Sequence, residues 1–328
     1  GSLFVDTHFA SFTSQIGVGF GGLIGNGTIY GINGAATHST SITSSYSDVA
    51  MSISVATTST DGIVGVGGII GTDDFYFLSS TNLSNVYSHN SIQAHVTGTG
   101  LALGGLAGLK VLGATSNSYS SSKLSYNTSS NQAVTGGLVG LSYGSTLTNS
   151  FSATTITGTS TGETFVGSLM GVLGEFNNQQ IGRYGYDSTN NYVDQSLTSA
   201  PCAGTAMELD AGTVPIYDGF CTPVNSHGDQ PGYFINSSTN PPLNTWDFTS
   251  LWHKHANAYP VFMPDIPPTV KRPGVGPIRP VTPPTSPAPG TRRQPLKPGV
   301  KNGTAAIEEG PATELTGLQK LFLRSLPW

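Results

Sequence analysis

Asp73-Asp74, His253-Lys254-His255 and the pair Cys202 and Cys221 are the residues of this chain whose types and spacing could do chemistry. Adjacent carboxylates suggest the acid and base of a polysaccharide-cleaving β-helix. Neighbours on a strand face opposite ways, however, so Asp73 and Asp74 converge on one bond only if a loop carries them. His253 and His255 share a face if their segment is a strand, but no third ligand stands at a metal-binding spacing, and surface imidazoles beside Lys254 are the plainer reading. No Gly-x-Ser-x-Gly, phosphate loop or Cys/His nucleophile pattern occurs. The carboxylates that a glycan-cleaving enzyme would cluster on one face are scattered as Asp48, Asp61, Asp73, Asp74, Glu163, Glu175 and Asp187. The sequence therefore predicts no catalytic residue, no metal and no cofactor.

The cysteines read differently. An even pair in a nearly uncharged chain of exported character predicts a Cys202–Cys221 disulfide, which stabilises by about 3 kcal/mol through loop closure.

Composition narrows the function classes. Only 9% of the 328 residues are charged, and 43 glycines with abundant Ser, Thr and Asn take their place. The net charge of -5 hides a split: residues 1–263 carry four Lys/Arg against fourteen Asp/Glu, and residues 264–328 carry nine against four. An acidic body without basic stripes gives phosphate backbones no footing, which argues against nucleic-acid binding. No apolar run of eighteen residues is present to span a bilayer, and GSLFVDTH lacks the basic start and apolar stretch of a secretory signal. If the protein is exported, its signal lies outside these residues or has been removed. Five Asn-x-Ser/Thr sequons, at Asn26, Asn82, Asn127, Asn236 and Asn302, follow from composition and carry little information.

The elements that must position these groups come from a repeat. One phrase recurs five times: Gly21-Gly22-Leu23-Ile24-Gly25, Gly67-Gly68-Ile69-Ile70-Gly71, Gly104-Gly105-Leu106-Ala107-Gly108, Gly136-Gly137-Leu138-Val139-Gly140 and Gly167-Ser168-Leu169-Met170-Gly171, at intervals of 46, 37, 32 and 31 residues. Each is followed by an aromatic among small polar residues, centred on Tyr46, Tyr87, Tyr119, Phe151 and Tyr192, with Asn before the last four. Gly pairs, β-branched residues and hydroxyl tracts oppose helix, whereas alternation such as Ser52-Ile53-Ser54-Val55 favours strand. Short strands returning every thirty-odd residues predict an all-β chain, a β-solenoid in which Leu23, Ile69, Leu106, Leu138 and Leu169 stack about 4.8 Å apart in one buried column. The aromatics form a second column. Glycine would serve tight corners with positive φ and close backbone approach, and stacked like charges would repel where stacked hydroxyls can bond. The longer first intervals suggest projecting insertions at THSTSITSS and TDDFYFLSSTNLS.

The phrase GGLxG followed by an Asn-Ser-Tyr-Ser block resembles the GLUG repeat of large secreted bacterial surface proteins, over residues 20–195. A second resemblance is WDFTSLWHKHANAYPVF, with Trp246, Phe248, Trp252, Tyr259 and Pro260 placed as in the segments that close such arrays. As a cap it would cover the open strand edges and apolar ends of the last turn. The resemblance implies a non-catalytic adhesin of the filamentous-haemagglutinin-like, two-partner-secretion type, displayed outside the cell. Its partners would be a host or matrix glycan or protein, with an outer-membrane secretion or anchoring partner or identical subunits.

The expected division is a repeat body over 1–198, a disulfide-bearing and aromatic capping region over 199–263, a Pro-rich basic linker over 264–312 and a short docking segment over 313–328. In the last, Leu315, Leu318, Phe322 and Leu326 fall near one helical face. Two other readings stay open: a fibre subunit assembled by strand or tail insertion, and a glycan-active β-helix enzyme.

Overall fold

A computed structural model describes residues 2–9, 18–26, 39–58, 62–73, 80–129, 132–174, 176–178, 182–184, 187–208, 212–214 and 220–263. The linker and docking segments predicted beyond residue 263 lie outside the described residues, as do Asp61, Asp74 and Glu175. Within the described residues the chain is almost wholly β, and its single helical element is the 3-10 turn Leu243–Thr245.

Parallel sheets collect one strand from each successive repeat. Sheet A holds Ser2–Phe9, Ala50–Thr57, Ser91–Thr97, Lys123–Ser129 and Thr155–Ser160, in that order. Sheet B holds Val18–Gly21, Ile63–Gly67, Gly100–Gly104, Gln132–Gly136 and Glu163–Gly167. Sheet C runs from Ile24–Asn26 through Ile70–Thr72, Ala107–Val111, Val139–Tyr143 and Met170–Gly174 to Ala203–Glu208, with Gly212–Val214 added antiparallel. Sheet D begins with Ser39–Ser47 on Ser80–Ser88 and ends with Thr222–Val224 on Tyr192–Asp194.

Alternation in sequence sets which face is buried. In sheet A, Met51 pairs with Ile92 and Ile92 with Leu124, while Ile53 pairs with Ala94 and Val55 with Val96. These residues are sealed from water and form one core with Val64, Val66, Leu101 and Leu103 of sheet B. A second core joins the glycine bends to sheets C and D through Ile69, Leu106, Leu138, Leu169, Leu83 and Leu147.

The GGLxG phrase is the bend from sheet B into sheet C, and its backbone is satisfied by the following repeat. The Leu106 carbonyl accepts from Ile69 N at 2.8 Å and Ile70 N at 3.0 Å; Leu138 O does the same for Leu106 and Ala107, and Leu169 O for Leu138 and Val139. A bend with few side chains thus loses no hydrogen bonds to burial.

Several expectations are corrected. Residues 39–45 of the expected THSTSITSS insertion lie in a sheet D strand, with Thr40 opposite Thr81 and Ile42 opposite Leu83, so they continue the pattern. Residues 80–84 of the second expected insertion belong to the partner strand, and 74–79 lie outside the described residues. The boundary at residue 198 falls inside the stack, because Met170 pairs with Ala203 and Leu169 N donates to Cys202 O at 2.9 Å. Pro201-Cys202-Ala203-Gly204 is thus a sixth, altered copy of the phrase, hidden in sequence because Cys replaces Leu.

Candidate functional site

The repeat glycines act by close approach. A Cβ on the first glycine would meet the carbonyl oxygen three residues on, 2.0 Å away at Gly21 and Gly67, 1.9 Å at Gly104 and Gly136 and 1.8 Å at Gly167. On the third it would strike a strand of sheet B, as from Gly71 to Phe20 N at 2.2 Å or Gly108 to Val66 N at 2.3 Å; Gly25, Gly140 and Gly171 are similarly confined. Positive φ is found at other glycines of the repeats, Gly98, Gly113 and Gly144, and at the corner residues Ser44, Asn85, Asn117, Asn149 and Asn190, the last five with φ from 49° to 55°. Asparagine tolerates this conformation, which explains the Asn that precedes the last four aromatics.

Hydroxyls complete the corners. Ser118 N donates to Ser150 Oγ at 3.2 Å, Val86 N to Ser118 Oγ at 3.2 Å, and Ser150 N to Asn191 Oδ1 at 3.0 Å, so each side chain serves the backbone of the preceding repeat. Deeper in, Ser88 Oγ donates to Gly105 O at 2.5 Å, Thr154 Oγ1 to Gly137 O at 3.1 Å and Asn90 Nδ2 to Gly68 O at 3.0 Å.

The leucine column is buried at Ile69, Leu106, Leu138 and Leu169, but Leu23 is 47% exposed. Leu23 N bonds Ile69 O on one side, and no described residue stacks on the other. The column closes at its far end on the disulfide. Cys202 follows Leu169, and Cys221, one residue before the strand Thr222–Val224, follows Asn191 in its own column. The bond therefore crosses the interior between sheets C and D.

The aromatic column stacks Tyr46 on Tyr87 at 5.0 Å, Tyr87 on Tyr119 at 5.1 Å and Tyr119 on Phe151 at 4.8 Å. Tyr192 leaves the column; Phe151 stacks instead on Phe234 at 4.3 Å. These rings face outward from sheet D, and the expected cap lies along them rather than over the end of the stack. Trp246 Nε1 donates to Asn149 O at 2.9 Å, and Tyr119 OH to Pro260 O at 2.6 Å. Trp252 and Tyr259 pack on Tyr119, Phe262 on Tyr87, and Phe248 against the same cluster. An outward aromatic stripe several repeats long is a large apolar surface, and covering it is a gain. Burial pushes the Tyr87 and Tyr259 phenols up to about 12.

Chemistry-bearing groups that sequence reasoning missed meet at the turn after Tyr192–Asp194. Buried Asp194 accepts from Ser196 Oγ and Ser226 Oγ, and from Ser196 N at 3.1 Å. His227 Nδ1 lies 2.6 Å from Ser196 Oγ, 3.2 Å from Ser226 Oγ and 3.9 Å from Asp194 Oδ2. The residue types match an acyl-transfer triad but the wiring does not, because the carboxylate holds both hydroxyls and not the imidazole. The arrangement ties one turn to another. Only tertiary structure could reveal it, since Ser226 and His227 are more than thirty residues from Asp194. Of the predicted pairs, Asp73 turns into the core against Lys110, while His253 and His255 stand exposed on a hairpin strand. Among the described residues no three His, Cys, Asp or Glu side chains gather as a metal site.

The outer face of sheet A is a regular, partly to fully exposed surface. Ser52, Gln93, Ser125 and Thr157 form one register column, and Ser54, His95, Asn127 and Thr159 a second. Hydroxyls and amides, with the His95 imidazole among them, thus repeat at about 4.8 Å, with Lys123 as a charge at one margin.

No protein-family model and no curated protein matches the chain. Among solved structures it is similar to "a putative immunoglobulin A1 protease from Bacteroides ovatus", at 16% identity over 69% of this chain and 74% of that one, with a TM-score of 0.34. A likeness this loose bears on neither mechanism nor partner.

Proposed function

We propose that the stacked repeats form a β-solenoid of GLUG type and that the protein is a non-catalytic, extracellular surface adhesin whose sheet A face binds glycans. The observation that carries this reading is the in-register array of Ser, Thr, Asn and Gln side chains on that face. A polysaccharide is itself a regular row of hydroxyls, and a rigid sheet presents complementary donors and acceptors with little further loss of side-chain freedom. The disulfide supports an oxidising, extracellular location. Of the groups most capable of catalysis, Asp194 is engaged by its serines, and Asp73 with Lys110 is sealed in the core away from any substrate.

Glycan-array retention of the purified chain tests the proposal. Retention is expected, and Gln93→Ala with Asn127→Ala should abolish it without altering the thermal midpoint. Release of reducing ends from a polysaccharide would instead favour the enzyme.

One observation favours a second reading, a fibre subunit. The exposed large hydrophobics among the described residues, Leu23 at 47%, Ile24 at 36% and Tyr46 at 54%, all belong to the first repeat, at the ends of stacked columns. Particles that lengthen with concentration would support strand addition there.

A further inference from the structure

Asp73 and Lys110 occupy equivalent positions in successive strands. Thr72 pairs with Leu109, and the next amide, that of Asp73, donates to Leu109 O at 3.0 Å. The two side chains therefore spring from backbones one strand spacing apart, and Lys110 Nζ lies 3.8 Å from Asp73 Oδ2. Lys110 is 1% exposed and Asp73 2%.

The fold does not require charge at this position, since Ser142, Leu173 and Ala206 hold it in the repeats that follow. A buried ion pair is a poor source of stability, because desolvation offsets the attraction. Loss of solvation raises the Asp73 carboxyl above the usual range and lowers the Lys110 ammonium, against the opposing attraction between them. Both shifts favour the protonated acid beside the free amine. Lys110 also donates to the carbonyls of Thr81 and Leu112, which hold its nitrogen in place. Both Asp73 carboxyl oxygens are buried without a hydrogen-bond partner among the described residues.

We propose that Lys110 and Asp73 condense into an intramolecular isopeptide bond that fastens the second repeat to the third. The Nζ lone pair of the neutral amine adds to Cγ of the protonated carboxyl, forming the C–N bond. The C–OH bond then breaks, and the hydroxyl leaves with a proton from nitrogen as water. Nothing is oxidised or reduced. Groups held this way react with effective molarities on the order of 10⁵ M or more, which favours an amide that free partners in water would not form. The product is a neutral cross-link where two desolvated charges stood.

The test is the intact mass of the full chain, purified and incubated at neutral pH, followed by peptide mapping. The expected mass is one water below that of the disulfide-bonded sequence. Trypsin should fail to cut after Lys110 in the denatured chain, and cleavage after Tyr87, which lies between the two residues, should leave two peptides joined through Lys110 and Asp73. A cyclised aspartate also loses water but yields no joined peptides, so that pattern overturns the proposal. Full mass with ready cleavage after Lys110 overturns it as well. Lys110→Arg should restore the full mass, and the wild-type map decides the question even if that variant does not fold.

Discussion

Replacing Gly105 by alanine tests whether close approach also dictates the second glycine of the phrase, where four of the five copies have Gly and the fifth has Ser168. A Cβ there meets Gly137 O at 2.2 Å, Ser120 Oγ at 2.2 Å and Ser120 Cβ at 2.6 Å, all well inside the 3.4 Å of ordinary contact. Neither neighbour can retreat. Gly137 O is held by Thr154 Oγ1 at 3.1 Å, and Ser120 lies in a strand paired with Tyr87–Ser88 on one side and Phe151–Ser152 on the other. Overpacking against backbone costs about 3 kcal/mol or more at such a site. Gly100 is the control: its Cβ would find Ile63 Cγ1 at 3.3 Å and Gly62 O at 3.4 Å, and alanine also stiffens the unfolded chain by about 0.4–1 kcal/mol. Gly100→Ala should thus stay within about 1 kcal/mol of the parent. In urea unfolding followed by tryptophan fluorescence, with a slope of about 2–3 kcal/mol/M, Gly105→Ala should lower the midpoint by about 1 M or more. Equal midpoints for the two variants would refute the close-approach reasoning.

Asn117→Ala should cost about 1 kcal/mol or more because φ there is 49°, and Asn117→Gly should cost less; paired thermal melts separate them. Tyr119→Phe strands the Pro260 carbonyl and should destabilise by about 1–2 kcal/mol, seen as a lower urea midpoint. Reducing Cys202–Cys221 should remove about 3 kcal/mol, measurable by unfolding with and without a thiol reductant. The Tyr87 and Tyr259 phenols rise from 10 to about 12 in the folded state, so the unfolded chain releases these protons first. Their contribution is complete below pH 10 and is lost as pH rises to about 12, which a tyrosinate absorbance titration alongside circular dichroism would follow.

Much of this protein was legible from local pattern. The phrase GGLxG and its trailing aromatic marked the repeats, because a parallel register places equal residues on one another and selects the same residue type each time. Alternation such as Ser52-Ile53-Ser54-Val55 gave strand and buried face together, and the cysteine pair gave its bond. Other features depended on what lies across the interior or along the flank. Leu23 has the same letters as Leu106, but a column has ends, and position in the stack leaves one exposed and the other sealed. Trp246, Trp252 and Tyr259 announced an aromatic cover, yet its place followed from the outward direction of Tyr87, Tyr119 and Phe151. Asn117 holds a positive φ that its letter did not announce, because φ is a property of the assembled corner. Lys110 stood 37 residues from Asp73 in sequence, and only the pairing of neighbouring strands brought amine and carboxyl together. Sequence alone determined the repeat, the strands and the cross-link between cysteines, all of which follow from short-range chemistry. Tertiary structure decided which groups meet, because side chains far apart in the chain become neighbours only when successive repeats stack.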